Sequence, residues 1–427
     1  MAKTTGKELR NLVMYSIYVR NHSEEGTFQG VAQDLGRIKD LGVDIVWLLP
    51  IHPIGEMRRK GPLGSPYAIR DYRGINPEYG TLDDFKELVH EIHDNGMKCI
   101  IDVVYNHTAP DSWLAKNHPE YFCKFPGGDL RSHNAEWEDI ADLDYMNKEL
   151  WAYQIDTLKM WAGIVDGFRC DVAPLIPLDF WLEARQEVAK VNPDCLWLSE
   201  SVEPAYILEN RRNQRICLSD AEILQAFDVC YDYDVYEDFI AFLQGKKPLQ
   251  QYISKLNMQE YIYPDNYVKL RFLENHDRDR AKALLPNERI LNNWTAFTFF
   301  QKGMTLIYAG QEMENTNRPD LFRKDLVNWK SGHDLSSQIK RLSQVKKKPI
   351  MAYGQCQVEL QRGHLIKAVY QQGDQKLMGF FDTYGEHCIA EADIPDGIYR
   401  NEINGENVCV RDNKFSFLGE PVILEVV

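Results

Sequence analysis

The stretch GFRCDVA, residues 167–173, closes an apolar run of strand length on a carboxylate, Asp171, with Arg169 two positions before it. The period of two along a strand puts both side chains on one face. The segment therefore reads as a buried strand that delivers an Arg–Asp pair to one end of a sheet. Seven further runs of the same kind lie at 12–19, 44–50, 97–104, 195–200, 226–231, 268–274 and 305–309, each short enough to be a strand rather than a helix. Between them apolar residues recur at helical spacing, as in Val31, Leu35 and Ile38, in Phe85, Leu88, Val89 and Ile92, and in Leu335, Ile339 and Leu342. Strands alternating with amphipathic helices are the signature of βα units on a parallel sheet. Eight strands are what a closed (β/α)8 barrel needs.

The spacing predicts an α/β chain whose barrel, of the TIM type, occupies 1–104 and 144–348. The connection after the third strand, 105–143, is long and rich in Asp, His, Asn, Pro and Gly, which predicts a short inserted lobe. Past Pro349 the helical period stops. Alternating pairs such as Val408/Val410 and Val422/Leu424/Val426, with glycine turns at QRGH and QQGD, predict an antiparallel β-sandwich over 349–427.

Composition narrows the function classes. Lys plus Arg is 49 against 64 Asp plus Glu, a net charge of −15. Such a chain has no basic footprint for counterion release, so nucleic acid is excluded as a partner. No run approaches a membrane span, and the start MAKTTGKELRNL lacks the apolar core of a secretory signal, so no membrane partner is expected. Nine cysteines, an odd number without a C-x-x-C pair, read as reduced thiols, with Cys99, Cys170, Cys195 and Cys230 in apolar runs. The expected compartment is a reducing cytoplasm.

The working residues of a (β/α)8 barrel project from the C-terminal ends of its strands. Here those ends converge on carboxylates: Asp171 after GFRC, Glu200 closing LWLSE, and Asp277 closing FLENHD. The third run ends DVVYNH, with Asp102 inside and Asn106 and His107 at the rim. Two facing carboxyls can cleave a glycosidic bond, one protonating the leaving oxygen while the other attacks the anomeric carbon or activates water. Arg169 is expected to keep Asp171 ionised, and the apolar approach Trp197-Leu198-Ser199 to favour a protonated Glu200. Read from spacing alone, a structural ion pair between Arg169 and Asp171 is an equal alternative.

DVVYNH (102–107), GFRCDVA (167–173), Glu200 and FLENHD (272–277) resemble, in order and spacing, the diagnostic segments of the α-amylase family of retaining glycoside hydrolases. GVDIVWLLPIHP (42–53), IADLD (140–144) and GMTLIYAGQE (303–312) extend the likeness over nearly the whole chain. The resemblance implies Asp171 as nucleophile, Glu200 as general acid/base and Asp277 as the carboxylate that holds substrate hydroxyls. It further implies substrate binding by Asp102, His107, Arg169 and His276, and by Tyr67 as the aromatic on which a glucose ring stacks. The implied partner is an α-glucan oligosaccharide. The chemistry requires no cofactor, and a structural calcium would use Asn106 and Asp142.

The chain departs from the family pattern at three points. Many α-1,4-acting members follow the nucleophile with a small residue and then Lys-His, where this chain has Val172-Ala173-Pro174-Leu175. A valine after the nucleophile is a feature of members that cleave α-1,6 links, so α-1,6 action remains open beside α-1,4. Ser199 stands where glycine is common. Leu175 stands where calcium-binding members have a histidine that lends its backbone carbonyl to the ion. The leading expectation is a retaining α-glucosidase or α-amylase acting on maltodextrin-like glucans. Alternatives are glucosyl transfer to a sugar or phosphate and, further off, a non-catalytic sugar-binding relative.

Overall fold

A computed structural model describes residues 4–426. Eight strands close into a parallel barrel in chain order: Val13–Ile17, Ile45–Leu48, Lys98–Val103, Gly167–Cys170, Leu196–Ser199, Val229–Tyr231, Lys269–Arg271 and Met304–Tyr308. The eighth pairs with the first, Val13 opposite Thr305 and Ser16 opposite Tyr308. Seven of the eight apolar runs contain one of these strands, and the eighth strand starts one residue before its run, at Met304. Several are shorter than their runs, because run-end residues such as Asp171 and Glu200 turn out of the ladder to form the rim. Strands of a parallel barrel are covered on both faces, and apart from Lys98 all their residues are buried.

The helix Leu82–Asp94 starts at Thr81, whose hydroxyl accepts from the Asp84 backbone while the Asp84 carboxylate accepts from the Thr81 backbone. This reciprocal cap satisfies two otherwise orphaned donors. Phe85, Leu88, Val89 and Ile92 form its buried face, at the expected spacing. The periodic stretch around Val31, Leu35 and Ile38 is two short helices, Phe28–Ala32 and Leu35–Asp40, rather than one.

Between the third and fourth strands lies a small lobe with a two-stranded ribbon, His107–Thr108 against Ala141–Asp142. A second long excursion, 49–81, follows the second strand and carries the isolated bridge Ile54–Ile69.

After the helix Pro349–Tyr353, a four-stranded antiparallel sheet forms from Gln355–Gln361, Leu365–Gln372, Gln375–Asp382 and Val422–Val426, with the ribbons His387–Glu391/Lys414–Leu418 and Gly397–Arg400/Asn407–Val410 beside it. Leu365, Met378, Phe380 and Leu424 pack with Ala390, Val410, Phe415 and Phe417 of the ribbons, and together they make one small core. The opposite face, with Tyr370, Phe381 and Ile423, joins the barrel core. Both faces of the Val422–Val426 strand are therefore covered at its start, and Val422, Ile423 and Leu424 are all buried where strict alternation was expected. Docking is specific: Asn293 on the helix Glu288–Phe300 accepts from the Asp382 backbone at 2.8 Å and donates to the Gly419 carbonyl at 2.9 Å.

Candidate active site

At the C-terminal end of the barrel, a cavity of about 340 Å³ is lined by Tyr67, His107, Asp171, Val172, Glu200 and Asp277, with Lys60, Ser65, Trp137, Asp139, Ile140, Leu321 and Phe322 around its mouth. The three strand-end carboxylates thus meet in one space. Register explains the meeting: Asp102 sits opposite Arg169 and Arg169 opposite Leu198 in adjacent strands. Just beyond the ladder, the Asp171 amide donates to the Val103 carbonyl at 2.9 Å and the Glu200 amide to the Cys170 carbonyl at 3.0 Å.

Arg169 is the hub. Its Nη1 donates to Asp102 at 2.9 and 3.0 Å and to Asp171 Oδ1 at 2.8 Å. Nη2 lies 2.9 Å from Glu200 Oε2, a charge contact without the alignment of a hydrogen bond. The Tyr231 hydroxyl accepts from Nε at 3.3 Å, and the guanidinium lies over the rings of Trp47, Tyr67 and Tyr231 at 5.3–5.6 Å from their centroids. One fixed cation therefore faces three carboxylates.

Burial raises all three, and Arg169 opposes it. Asp102 and Asp171 are each raised to about 6. Glu200 is raised further, to about 8: burial acts first, and the charges of Asp171 and Asp277 add to it against the pull of Arg169. Asp277 goes the other way. Burial opposes its ionisation, yet His276, at 3.0 Å from Nε2 to Oδ2, with Arg169 and Arg278, takes it down to about 2. The arrangement holds Asp277 ionised and Glu200 protonated near neutrality. Asp171 is ionised there too, but because Arg169 limits an upward shift rather than because it depresses the group, as the spacing had suggested. The Glu200 shift is led by burial, and the neighbouring carboxylates Asp171 and Asp277 add to it.

His107 presents Nε2 3.8 Å from Asp171 Oδ2. Burial lowers its pKa to about 4, so the ring is neutral. Asn106 Nδ2 lies 3.2 Å from His107 Nδ1, and an amide donor there assigns the ring proton to Nε2, toward the cavity. The Tyr67 hydroxyl donates to Asp102 Oδ2 at 3.0 Å and meets His276 Nε2 at 2.7 Å, and its ring stacks against His276 at 12°. Tyr67 and His107 reach the cavity. Asp102, Arg169 and His276 are buried and do not line it. Asp102 in particular, expected to bind substrate, turns its carboxylate to Arg169 and Tyr67.

Val172 has φ +35°, a left-handed conformation costly for a β-branched residue. The strain is held in place because the Val172 amide donates to Glu200 Oε2 at 2.9 Å. The residue singled out for its possible bearing on bond type thus has a local role, tying the backbone after Asp171 to Glu200. Its side chain packs with Val202 and Cys217.

Asn106 and Asp142, the implied calcium ligands, line a neighbouring space. Asp142 Oδ2 accepts from the His133 amide at 2.8 Å and faces the His133 ring at 2.7 Å. Asp142 Oδ1 is buried without a partner, but among the described residues no group of three or more His, Cys, Asp or Glu side chains is placed to hold a metal ion. Asn106 and Asp142 by themselves fall short of the six to eight oxygens that calcium takes. The lobe strand is instead tied down by His133.

Sequence reasoning missed Trp137, which lines the cavity with its ring 5.5 Å from that of His107. A lone tryptophan in the polar stretch HNAEWED was the available signal. Lys60, Asp139 and Phe322 were missed too, since nothing in their local pattern marks them.

A family model for the alpha amylase catalytic domain matches residues 11–125 and 132–353, and one for the bacterial alpha amylase C-terminal domain matches 357–424. Among solved structures, an alpha-amylase from Lactobacillus plantarum is 46% identical over 99% of this chain and 100% of that one, with a TM-score of 0.97. A noncanonic maltogenic alpha-amylase from Thermotoga neapolitana is 34% identical over 98% of this chain and 99% of that one, with a TM-score of 0.87. An alpha-amylase from Haloarcula japonica is 26% identical over 72% of this chain and 45% of its own length. An alpha-1,4-glucan:maltose-1-phosphate maltosyltransferase from Rhodospirillum rubrum is 34% identical over 44% of this chain and 31% of its own length. The chain therefore spans less than half the length of these two curated relatives. The catalytic-domain match runs through the barrel strands that carry Asp171, Glu200 and Asp277, and with it the chain belongs to the alpha-amylase family.

Proposed function

We propose that this protein is a retaining glycoside hydrolase that cleaves α-1,4-glucosidic bonds in maltodextrin-like glucans. The observation that carries the reading is the unequal tuning of two carboxyls on one guanidinium, Asp171 raised to about 6 and Glu200 to about 8, beside an ionised Asp277. Asp171 attacks the anomeric carbon while the Glu200 proton passes to the leaving oxygen, giving a glucosyl ester on Asp171. Glu200, now a carboxylate, takes a proton from water, whose oxygen attacks the same carbon and frees Asp171. Two inversions return the α configuration. Asp277 places negative charge against the oxocarbenium-like transition state, and His107 Nε2, beside Asp171 in the cavity wall, is placed to donate to a hydroxyl of a sugar bound there. No step draws on a cofactor.

The names of the full-length structural relatives, an alpha-amylase and a maltogenic alpha-amylase, support α-1,4-glucans as substrate. The maltosyltransferase match covers under half of the chain, and so supports transfer less well. Among the described residues no helix is long and apolar enough to cross a membrane. A reducing cytoplasm is the compartment we assign, supported by nine cysteines that are all unpaired.

The test compares kcat/KM for maltotriose and isomaltose across pH. Maltotriose is expected to be the better substrate, with a bell-shaped profile. Rates fall below about 6, where Asp171 gains a proton, and above about 8, where Glu200 loses one. Faster cleavage of isomaltose would move the assignment to α-1,6 bonds, and a profile without the alkaline limb would remove Glu200 as the acid.

A further inference from the structure

Three loops meet over one end of the cavity. Glu200, the proton donor, marks the leaving-group side, where Val172 packs with Val202 and Tyr206. Tyr67 and Asp277 mark the other side, where the sugar bound to Asp171 and any residues beyond it must lie. The excursion after the second strand carries Tyr67 and, seven residues before it, Lys60, and both line the cavity. Lys60 Nζ donates to the Glu136 carbonyl of the lobe at 2.7 Å and lies 3.4 Å from the Asp139 carboxylate. The Asp139 side chain is only 6% exposed and that of Lys60 34%, so the charges meet largely out of water, where their attraction is less screened. Arg58 makes a second tie, to the Leu130 carbonyl.

The other flank of the excursion is fastened to the loop after the eighth strand. The Leu63 amide donates to the Phe322 carbonyl at 3.0 Å. Buried Arg20, paired with Glu78, donates to the carbonyls of Gly64 at 3.4 Å and Leu321 at 3.3 Å. Gly61, at φ +61°, sits so close that an added Cβ would lie 2.9 Å from the Phe322 carbonyl oxygen. Lys60, Asp139 and Phe322 line the cavity together with Tyr67. The cavity volume, about 340 Å³, falls at the small end of ligand pockets, roughly 300–1,000 Å³.

We propose that the Lys60 strap closes the glycone end of the cleft, so that the enzyme works from non-reducing chain ends and releases short products instead of cutting within long chains. This rests on the α-1,4-glucan reading above. The test uses one maltooligosaccharide with a free non-reducing end and the same oligosaccharide with that end blocked by an acetal, with products resolved by chromatography. The wild-type protein cleaves the free substrate and discriminates strongly against the blocked one. Lys60→Met keeps the side-chain stem and removes the ammonium, and it raises the blocked-to-free ratio by about tenfold or more, the scale on which single pocket contacts discriminate. Lys60→Arg, which can remake both contacts, keeps the wild-type ratio. Equal cleavage of both substrates by the wild type, or an unchanged ratio in Lys60→Met, overturns the strap. Failure of the wild type to cleave the free substrate overturns the α-glucan reading itself, and the strap with it.

Discussion

Asp171→Asn loses roughly 10⁴-fold or more in kcat, the scale set when a residue that acts as part of a catalytic unit is removed. The amide is the same size but is no nucleophile, so the glucosyl ester cannot form. The fold is expected to survive the change. Arg169 still faces Asp102 and Glu200, so the buried guanidinium keeps two of its three carboxyl partners. Glu200 also loses a negative neighbour that raises its pKa, and it becomes easier to ionise. Single-turnover rates on maltotriose, with thermal unfolding alongside, check both halves. Residual turnover within about tenfold of wild type would remove Asp171 from the nucleophile's role.

Arg169→Met is expected to destabilise the protein by about 3–5 kcal/mol at pH 8, the cost of leaving buried charges without their partner. Three carboxylates lose the one cation that lies among them. Asp102, Asp171 and Glu200 are already raised by burial with Arg169 in place, and without it they rise further. A carboxyl whose folded pKa lies above its unfolded value of about 4 holds a proton that the unfolded chain releases, so stability falls as pH climbs between those values. The deficit of the variant against wild type is therefore largest at pH 8 and shrinks toward pH 5. Denaturant titrations at both values read it directly. A deficit that is absent at pH 8, or grows on acidification, would contradict the account of Arg169 as the shared counter-ion.

These two residues were legible in the sequence because a barrel strand announces itself as an apolar run and ends where its working side chain begins. GFRCD shows both in five letters, and LWLSE and FLENHD repeat the pattern. The excursion 49–81 and the lobe tip around Trp137 have neither period. Their positions follow from single contacts far apart in sequence, such as Lys60 with Asp139 or Leu63 with Phe322, and pattern reading has no means of finding those. The direction of each pKa shift was partly hidden for the same reason. Arg169 beside Asp171 is visible in one segment, whereas the burial that outweighs it exists only once the strands close. Alternation misled at Val422–Leu424, where a sheet covered on both faces has no polar side to show.

The central claim is that the reaction passes through a glucosyl ester on Asp171. An activated fluoroglucosyl fluoride, whose fluorine slows the second step, traps such an ester, and peptide mapping by mass spectrometry locates it. The account predicts a single glycosylated peptide with the sugar on Asp171. A label on another residue, or full inactivation without any covalent sugar, would contradict it.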